Sequence, residues 1–303
     1  MQRIFLDYDQ RTLDDAYDQE VYAPNWEQVL ARRNRNSALV RQRLGEPKRL
    51  TYGSKKNEQL DLYVTRRIRP SELAPINVFI HGGGWRVGCA RDYGAAAEIF
   101  VHAGAHYLVL DFDNVNEAGG SLFVMADQVR RAVAWVSKNA TCFGGDASRV
   151  YVSGTSSGAH LGGVIAITDW KKNFGLQSDG VKGYALCSGM YDLRGPRLSK
   201  RSLYVKFSDE MEAALSPQRH LDRINAPIVF IYGSHESPEF KRQSREFCDA
   251  LRAAGKPVQL TLAEGYNHFE IAETLANPYG PMGRAVLEQM NLVSYGCAGR
   301  GER

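Results

Sequence analysis

The chain has 303 residues, 44% hydrophobic and 24% charged. That balance excludes a disordered or low-complexity chain and is long enough to bury a large core. The net charge of +4 is weak for a nucleic-acid surface, and the basic cluster Arg32, Arg33, Arg35, Arg41, Arg43, Lys48 and Arg49 has no aromatic interleaving, so a solvated helix face is expected there.

Five cysteines (Cys89, Cys142, Cys187, Cys248 and Cys297) are odd in number, scattered, and never spaced C-x-x-C. Reduced thiols are expected, with neither a disulfide framework nor a zinc site. The opening Met1-Gln2-Arg3-Ile4-Phe5-Leu6-Asp7 soon turns acidic and does not read as a signal peptide. No apolar stretch approaches the roughly 18 residues that span a membrane, so a cytoplasmic protein is expected.

Residues 1–45 read as a helical N-terminal arm or cap with a break near Pro24. Residues 46–303 read as a single catalytic domain. Its first two strands, 49–52 and 60–64, suit an antiparallel edge. The rhythm then becomes strand–helix. Runs 76–80 and 107–110 are continuously apolar, as strands covered on both faces are. A helix is expected over 91–104 between them. Leu122, Met125, Val129, Val133 and Val136 are spaced 3, 4, 4 and 3, which predicts an amphipathic helix. Strands follow at 150–153, 181–187, 228–232 and 258–262. A helix through Phe240, Phe247 and Leu251 stops at Gly255, and another covers 279–291. Residues 188–225 lack periodicity and read as a lid or excursion. Repeated βα units imply a mostly parallel sheet with right-handed crossovers, an α/β fold.

Gly154-Thr155-Ser156-Ser157-Gly158 spells G-x-S-x-G between a strand and a small-residue helix. A nucleophilic serine needs that context, because flanking glycines remove the Cβ atoms that would clash in so tight a turn. A serine hydroxyl also needs a base, an orienting acid and an oxyanion hole. His81-Gly82-Gly83-Gly84-Trp85 directly follows a strand, so the N–H groups of Gly83 and Gly84, with that of Ser157, can face a developing oxyanion. No P-loop or dinucleotide pattern is present to claim the loop for phosphate. His268, on the loop after the last strand, fills the base slot. Glu236, before Pro238 starts a helix, fills the acid slot ahead of Asp192. His81 and His160 read as hydrogen-bonding residues that order their loops. No metal or organic cofactor is called for.

These residues give the chain a resemblance to the kynurenine formamidase (arylformamidase) branch of the α/β-hydrolases, near the hormone-sensitive-lipase-like esterases. The stretches that carry it are His81-Gly82-Gly83-Gly84-Trp85, Gly158-Ala159-His160-Leu161, Ser188-Gly189-Met190-Tyr191-Asp192-Leu193 and Ser216-Pro217-Gln218-Arg219-His220-Leu221. Ser237-Pro238-Glu239-Phe240-Lys241-Arg242-Gln243-Ser244 and Asn267-His268-Phe269-Glu270 complete it. The resemblance implies an α/β-hydrolase fold with Ser156 as nucleophile, Glu236 as acid, His268 as base, and Gly83, Gly84 and Ser157 at the oxyanion hole. Three features depart from the family pattern: Glu236 stands where Asp is usual, the elbow is Gly-Thr-Ser-Ser-Gly, and Asp111-Phe112-Asp113-Asn114-Val115-Asn116-Glu117 replaces a Leu-Ala-Pro-type segment. The implied activity is hydrolysis of a small acyl amide or ester, first an aryl formamide such as N-formylkynurenine, second a carboxylester or carbamate. The other class left open is a non-catalytic binding protein on the same fold. Trp85, Tyr191 and Trp26 are candidates to line an aromatic substrate pocket. The partners expected are that small aromatic substrate and, at most, a second copy in a homodimer; neither nucleic acid nor membrane is expected.

Overall fold

The computed structural model describes residues 2–66, 72–176 and 180–292. Eight strands form one sheet: β1 (Lys48–Thr51), β2 (Gln59–Tyr63), β3 (Ala74–Ile80), β4 (His106–Leu110), β5 (Gly145–Thr155), β6 (Tyr184–Cys187), β7 (Ile228–Gly233) and β8 (Val258–Ala263). Their spatial order is β1-β2-β4-β3-β5-β6-β7-β8. The β1–β2 and β2–β4 pairs are antiparallel, and every other pair is parallel. The antiparallel edge and the parallel body are as the sequence predicts, and the sheet is that of an α/β-hydrolase.

The continuous apolar runs have a direct cause. All seven residues of β3 and all five of β4 are buried, because helices cover both faces. Ile76, Val78 and Ile80 face a core shared with Val129, Val133, Leu161 and Phe247. Phe79 points the other way, toward Tyr107, Ile271 and Val286.

In chain order the α-helices are α1 (Gln10–Ala16), α2 (Trp26–Leu44), α3 (Ala97–His102), α4 (Leu122–Asn139), α5 (Ser157–Ala166), α6 (Trp170–Phe174), α7 (Arg194–Leu198), α8 (Asp209–Ala214), α9 (Pro238–Ala253), α10 (His268–Glu273) and α11 (Pro281–Gln289). The spaced residues Leu122, Met125, Val129, Val133 and Val136 are all buried in α4. The helix expected over 91–104 is shorter: a 3-10 turn, Ala90–Ala96, precedes α3. The aperiodic stretch 188–225 holds α7, α8 and three 3-10 turns, elements too short to show a 3.6-residue period.

The basic cluster is mostly exposed, as expected of a solvated face, with Arg32, Arg35, Arg43, Lys48 and Arg49 open to solvent. Much of it docks α2 onto the body of the protein. Arg32 pairs with Glu273, and Arg43 with Glu98. Arg33 donates to Tyr93 Oη and also lies over that ring, 4.3 Å from its centroid. Arg41 donates to the carbonyl of Arg91, and Arg49 pairs with Asp61 and Asp111. Cys89, Cys142, Cys187 and Cys248 are free thiols, while Cys297 lies outside the described residues. Among the described residues no helix is long and apolar enough to cross a membrane.

Candidate active site

The site sits at the C-terminal ends of the parallel strands. β5 ends at Thr155, and Ser156 turns the chain into α5 with φ +55° and ψ −125°. A side chain rarely tolerates that conformation, and packing imposes it here. A Cβ on Gly154 would lie 2.7 Å from the carbonyl oxygen of Gly158, and one on Gly158 would lie 2.1 Å from that of Ile80. The two glycines are thus needed to bring α5 against β3. The positive end of α5 then points at Ser156.

Ser156 Oγ lies 2.9 Å from Nε2 of His268, and Nδ1 of His268 lies 2.9 Å from Oε2 of Glu236. With a carboxylate beside Nδ1, the proton belongs on Nδ1, leaving Nε2 to accept from the serine. Glu236 is 1% exposed, so its carboxylate needs donors. Oε1 accepts from the Gly233 N–H at 2.8 Å and from Ser188 Oγ at 2.5 Å. Ser188 is itself a non-glycine residue at φ +56°, at the turn just after β6. It was not singled out from the sequence; its position at a strand end beside β7 was the available signal. Asp192 is elsewhere, paired with Arg219. The neighbouring Cys187 thiol is pushed far up by burial and stays protonated.

His268 is not on a loop as expected. It is the first residue of α10, buried, with Phe240 edge-on at 4.8 Å. Asn267 caps that helix through the N–H groups of Phe269 and Glu270, and Glu270 returns a bond to the Asn267 N–H. The arm holds this cap from outside. Asn25 donates to Glu270 at 2.7 Å and accepts from Asn267 at 2.8 Å.

Gly83, Gly84 and Trp85 have consecutive positive φ values of +118°, +63° and +65°. A Cβ on Gly83 would lie 1.9 Å from the Val87 carbonyl oxygen. Among the described residues the N–H groups of Gly83, Gly84 and Ser157 have no protein acceptor. Trp85 keeps its strained backbone because its indole is anchored. It is buried edge-on against His160, and its N–H donates to His160 Nδ1 at 3.3 Å. His160 Nε2 then donates to the Leu215 carbonyl at 2.9 Å. Burial pushes the His160 pKa down to about 4, which keeps it neutral. His81 Nδ1 bonds the Gly82 carbonyl, and its ring stacks on Phe112 at 4.5 Å.

The aromatic pocket needs correction. Trp85 is an anchor for the glycine loop, not an open wall. Tyr191 is 0% exposed, sealed against Phe230 and Phe247, so it cannot meet a substrate. Trp26 remains at the rim, half-buried against Phe269, which in turn meets the His268 ring edge-on. The substituted stretch after β4 is tied down as well. Asp111 is bound by Arg49, and Asp113 by Lys55 and Asn57. A cavity of about 350 Å³ beside β2, lined by Arg43, Pro47, Tyr63 and Val64, contains none of the residues described above as the site. Among the described residues no cluster suited to a metal ion occurs.

The family model described as BD-FAE matches residues 60–187, from β2 through the elbow to β6. The chain is 33% identical over 236 residues to a kynurenine formamidase of Salmo salar, covering 75% of this chain and 76% of that one. It is 27% identical over 246 residues to an isoprenylcysteine α-carbonyl methylesterase of Arabidopsis thaliana, covering 73% of this chain and 56% of that protein. The thermophilic esterase Est2 of Thermogutta terrifontis superposes with a TM-score of 0.67 at 19% identity, over 86% of this chain and 96% of that one.

Proposed function

The chain belongs to the kynurenine formamidase family of α/β-hydrolases, and from that premise we propose that it cleaves an aryl formamide such as N-formylkynurenine through Ser156, His268 and Glu236. Ser156 Oγ attacks the formyl carbonyl while its proton passes to His268 Nε2. The buried Glu236 carboxylate holds the ring by Nδ1–H and stabilises the imidazolium. The N–H groups of Gly83, Gly84 and Ser157 receive the negative oxygen of the tetrahedral intermediate. Collapse breaks the C–N bond, and His268 gives its proton to the leaving arylamine. Water, deprotonated by His268, then attacks the formyl ester and releases formate with Ser156 restored. The arm of residues 1–45 acts as a cap that steadies the base.

The observation that most supports this reading is the unbroken Glu236–His268–Ser156 chain of two 2.9 Å hydrogen bonds. A carboxylester is the second reading, favoured by the likeness to a methylesterase. A parallel turnover screen of N-formylkynurenine and short p-nitrophenyl esters separates the two. Ser156→Ala is expected to lower turnover by at least about a thousandfold and to abolish fluorophosphonate labelling. Labelling that persists in Ser156→Ala would overturn the assignment.

A further inference from the structure

Among the described residues Arg201 is a buried cation without an anion. It lies in the 3-10 turn Lys200–Leu203 and is 7% exposed. Nη1 donates to Tyr204 Oη and Nη2 to the Tyr17 carbonyl, each at 2.9 Å. Nε is enclosed and has no partner among the described residues. Neither acceptor is charged. Among the described residues Arg201 makes no ion pair, whereas its neighbour Lys200 takes Asp18. The Trp85 ring, 5.4 Å from the guanidinium carbon, offsets only part of such a charge.

Its position gives the imbalance a meaning. A Cβ on Gly84 would lie 3.4 Å from Arg201 Nη1 and 3.9 Å from Tyr204 Oη. The guanidinium therefore abuts the glycine loop assigned to the oxyanion. A second cation, the exposed Arg86, lies over the Tyr204 ring at 4.6 Å from its centroid. Two guanidiniums thus bracket one tyrosine beside this loop.

The geometry points to Arg201 as the residue that binds a carboxylate on the substrate. A guanidinium has five N–H donors and two are used here, which leaves three for a carboxylate, and Nη1 is the atom that lies beside the Gly84 loop. The substrate class is then an acyl amide or ester that carries a monoanionic carboxylate beyond the scissile bond. Tyr204 lends its hydroxyl proton to the same group. This inference rests on the hydrolase reading of Ser156, and it is tested by binding rather than turnover so that the two can fail separately.

The test titrates two ligands into the full chain by calorimetry: 4-(2-aminophenyl)-4-oxobutanoate and its carboxamide, which differ only in charge. The carboxylate is expected to bind about tenfold or more tighter than the carboxamide. Arg201→Gln should bring that ratio to within about twofold, and Arg201→Lys should keep part of it. Thermal melts establish that each variant is folded, and if Arg201→Gln is not, Arg201→Lys reads the same ratio. Equal binding of the two ligands by the wild type would overturn the assignment. So would no binding of either, or a ratio that survives Arg201→Gln.

Discussion

The two halves of the site are held in different ways. The Ser156 half is set by steric contacts: Gly154 and Gly158 decide where Ser156 stands, and Gly83 to Trp85 decide how the glycine loop turns. The His268 half is set by polar bonds between distant parts of the chain. Glu236 is fixed by Ser188, 48 residues earlier, and the cap of α10 is fixed by Asn25, 242 residues before Asn267. The first kind of order comes from backbone packing, with α5 seated on β3 through Gly158. The second exists only once the whole chain has folded.

Breaking the steric half is expected to do most damage. Gly158→Ala puts a methyl group 2.1 Å from the Ile80 carbonyl oxygen, a clash that only a backbone shift relieves. A loss of about 3 kcal/mol or more is expected, read as a lower urea midpoint, together with loss of fluorophosphonate labelling. Acid tests the same half more gently. His160 has a folded pKa of about 4 against 6.5 for the free group. The unfolded chain therefore takes up the proton first, and the stabilisation present above pH 6.5 is lost as the pH falls toward 4. Between pH 7 and pH 5 His160 alone should cost about 2 kcal/mol. Urea melts at the two pH values should differ less in His160→Gln than in the wild type, and an equal difference would exclude this histidine as the cause.

The smallest effect is expected from the polar half. Asn25→Ala removes both bonds to the cap of α10, at about 1 kcal/mol or less because the site is only partly buried. Its signature should be a severalfold fall in kcat with KM nearly unchanged, since the base loosens while the substrate surface stays. A change in KM alone would place Asn25 on the substrate instead and would blur the contrast between the halves.

That contrast also explains what the sequence disclosed. The strand runs, the α4 spacing and the elbow are local patterns, and each was legible before any coordinates. So were the positions of Glu236 and His268, because strand ends place them. Asn25 and the docking of Arg32, Arg33 and Arg43 were not legible, and Ser188 only through its place at a strand end. A hydrogen bond between residues far apart in the chain leaves no periodic trace in either partner. Tyr191 and Trp85 were misread for a related reason. An aromatic residue next to a catalytic motif looks the same in sequence whether it faces the substrate or braces the loop from behind. Arg201 lay hidden in a stretch of short turns where no period marks inside from outside.

The clamp from Asn25 to Asn267 also bears on how the protein is made. A ribosome releases the arm long before the segment it must grip, so the arm waits while most of the sheet is assembled. Contacts of such long range are slow to form and leave apolar surface exposed meanwhile. His268 is also the last of the three hydrogen-bonded residues to emerge. Refolding should accordingly recover far-ultraviolet dichroism before it recovers a working Ser156, with the lag set by closure of the clamp.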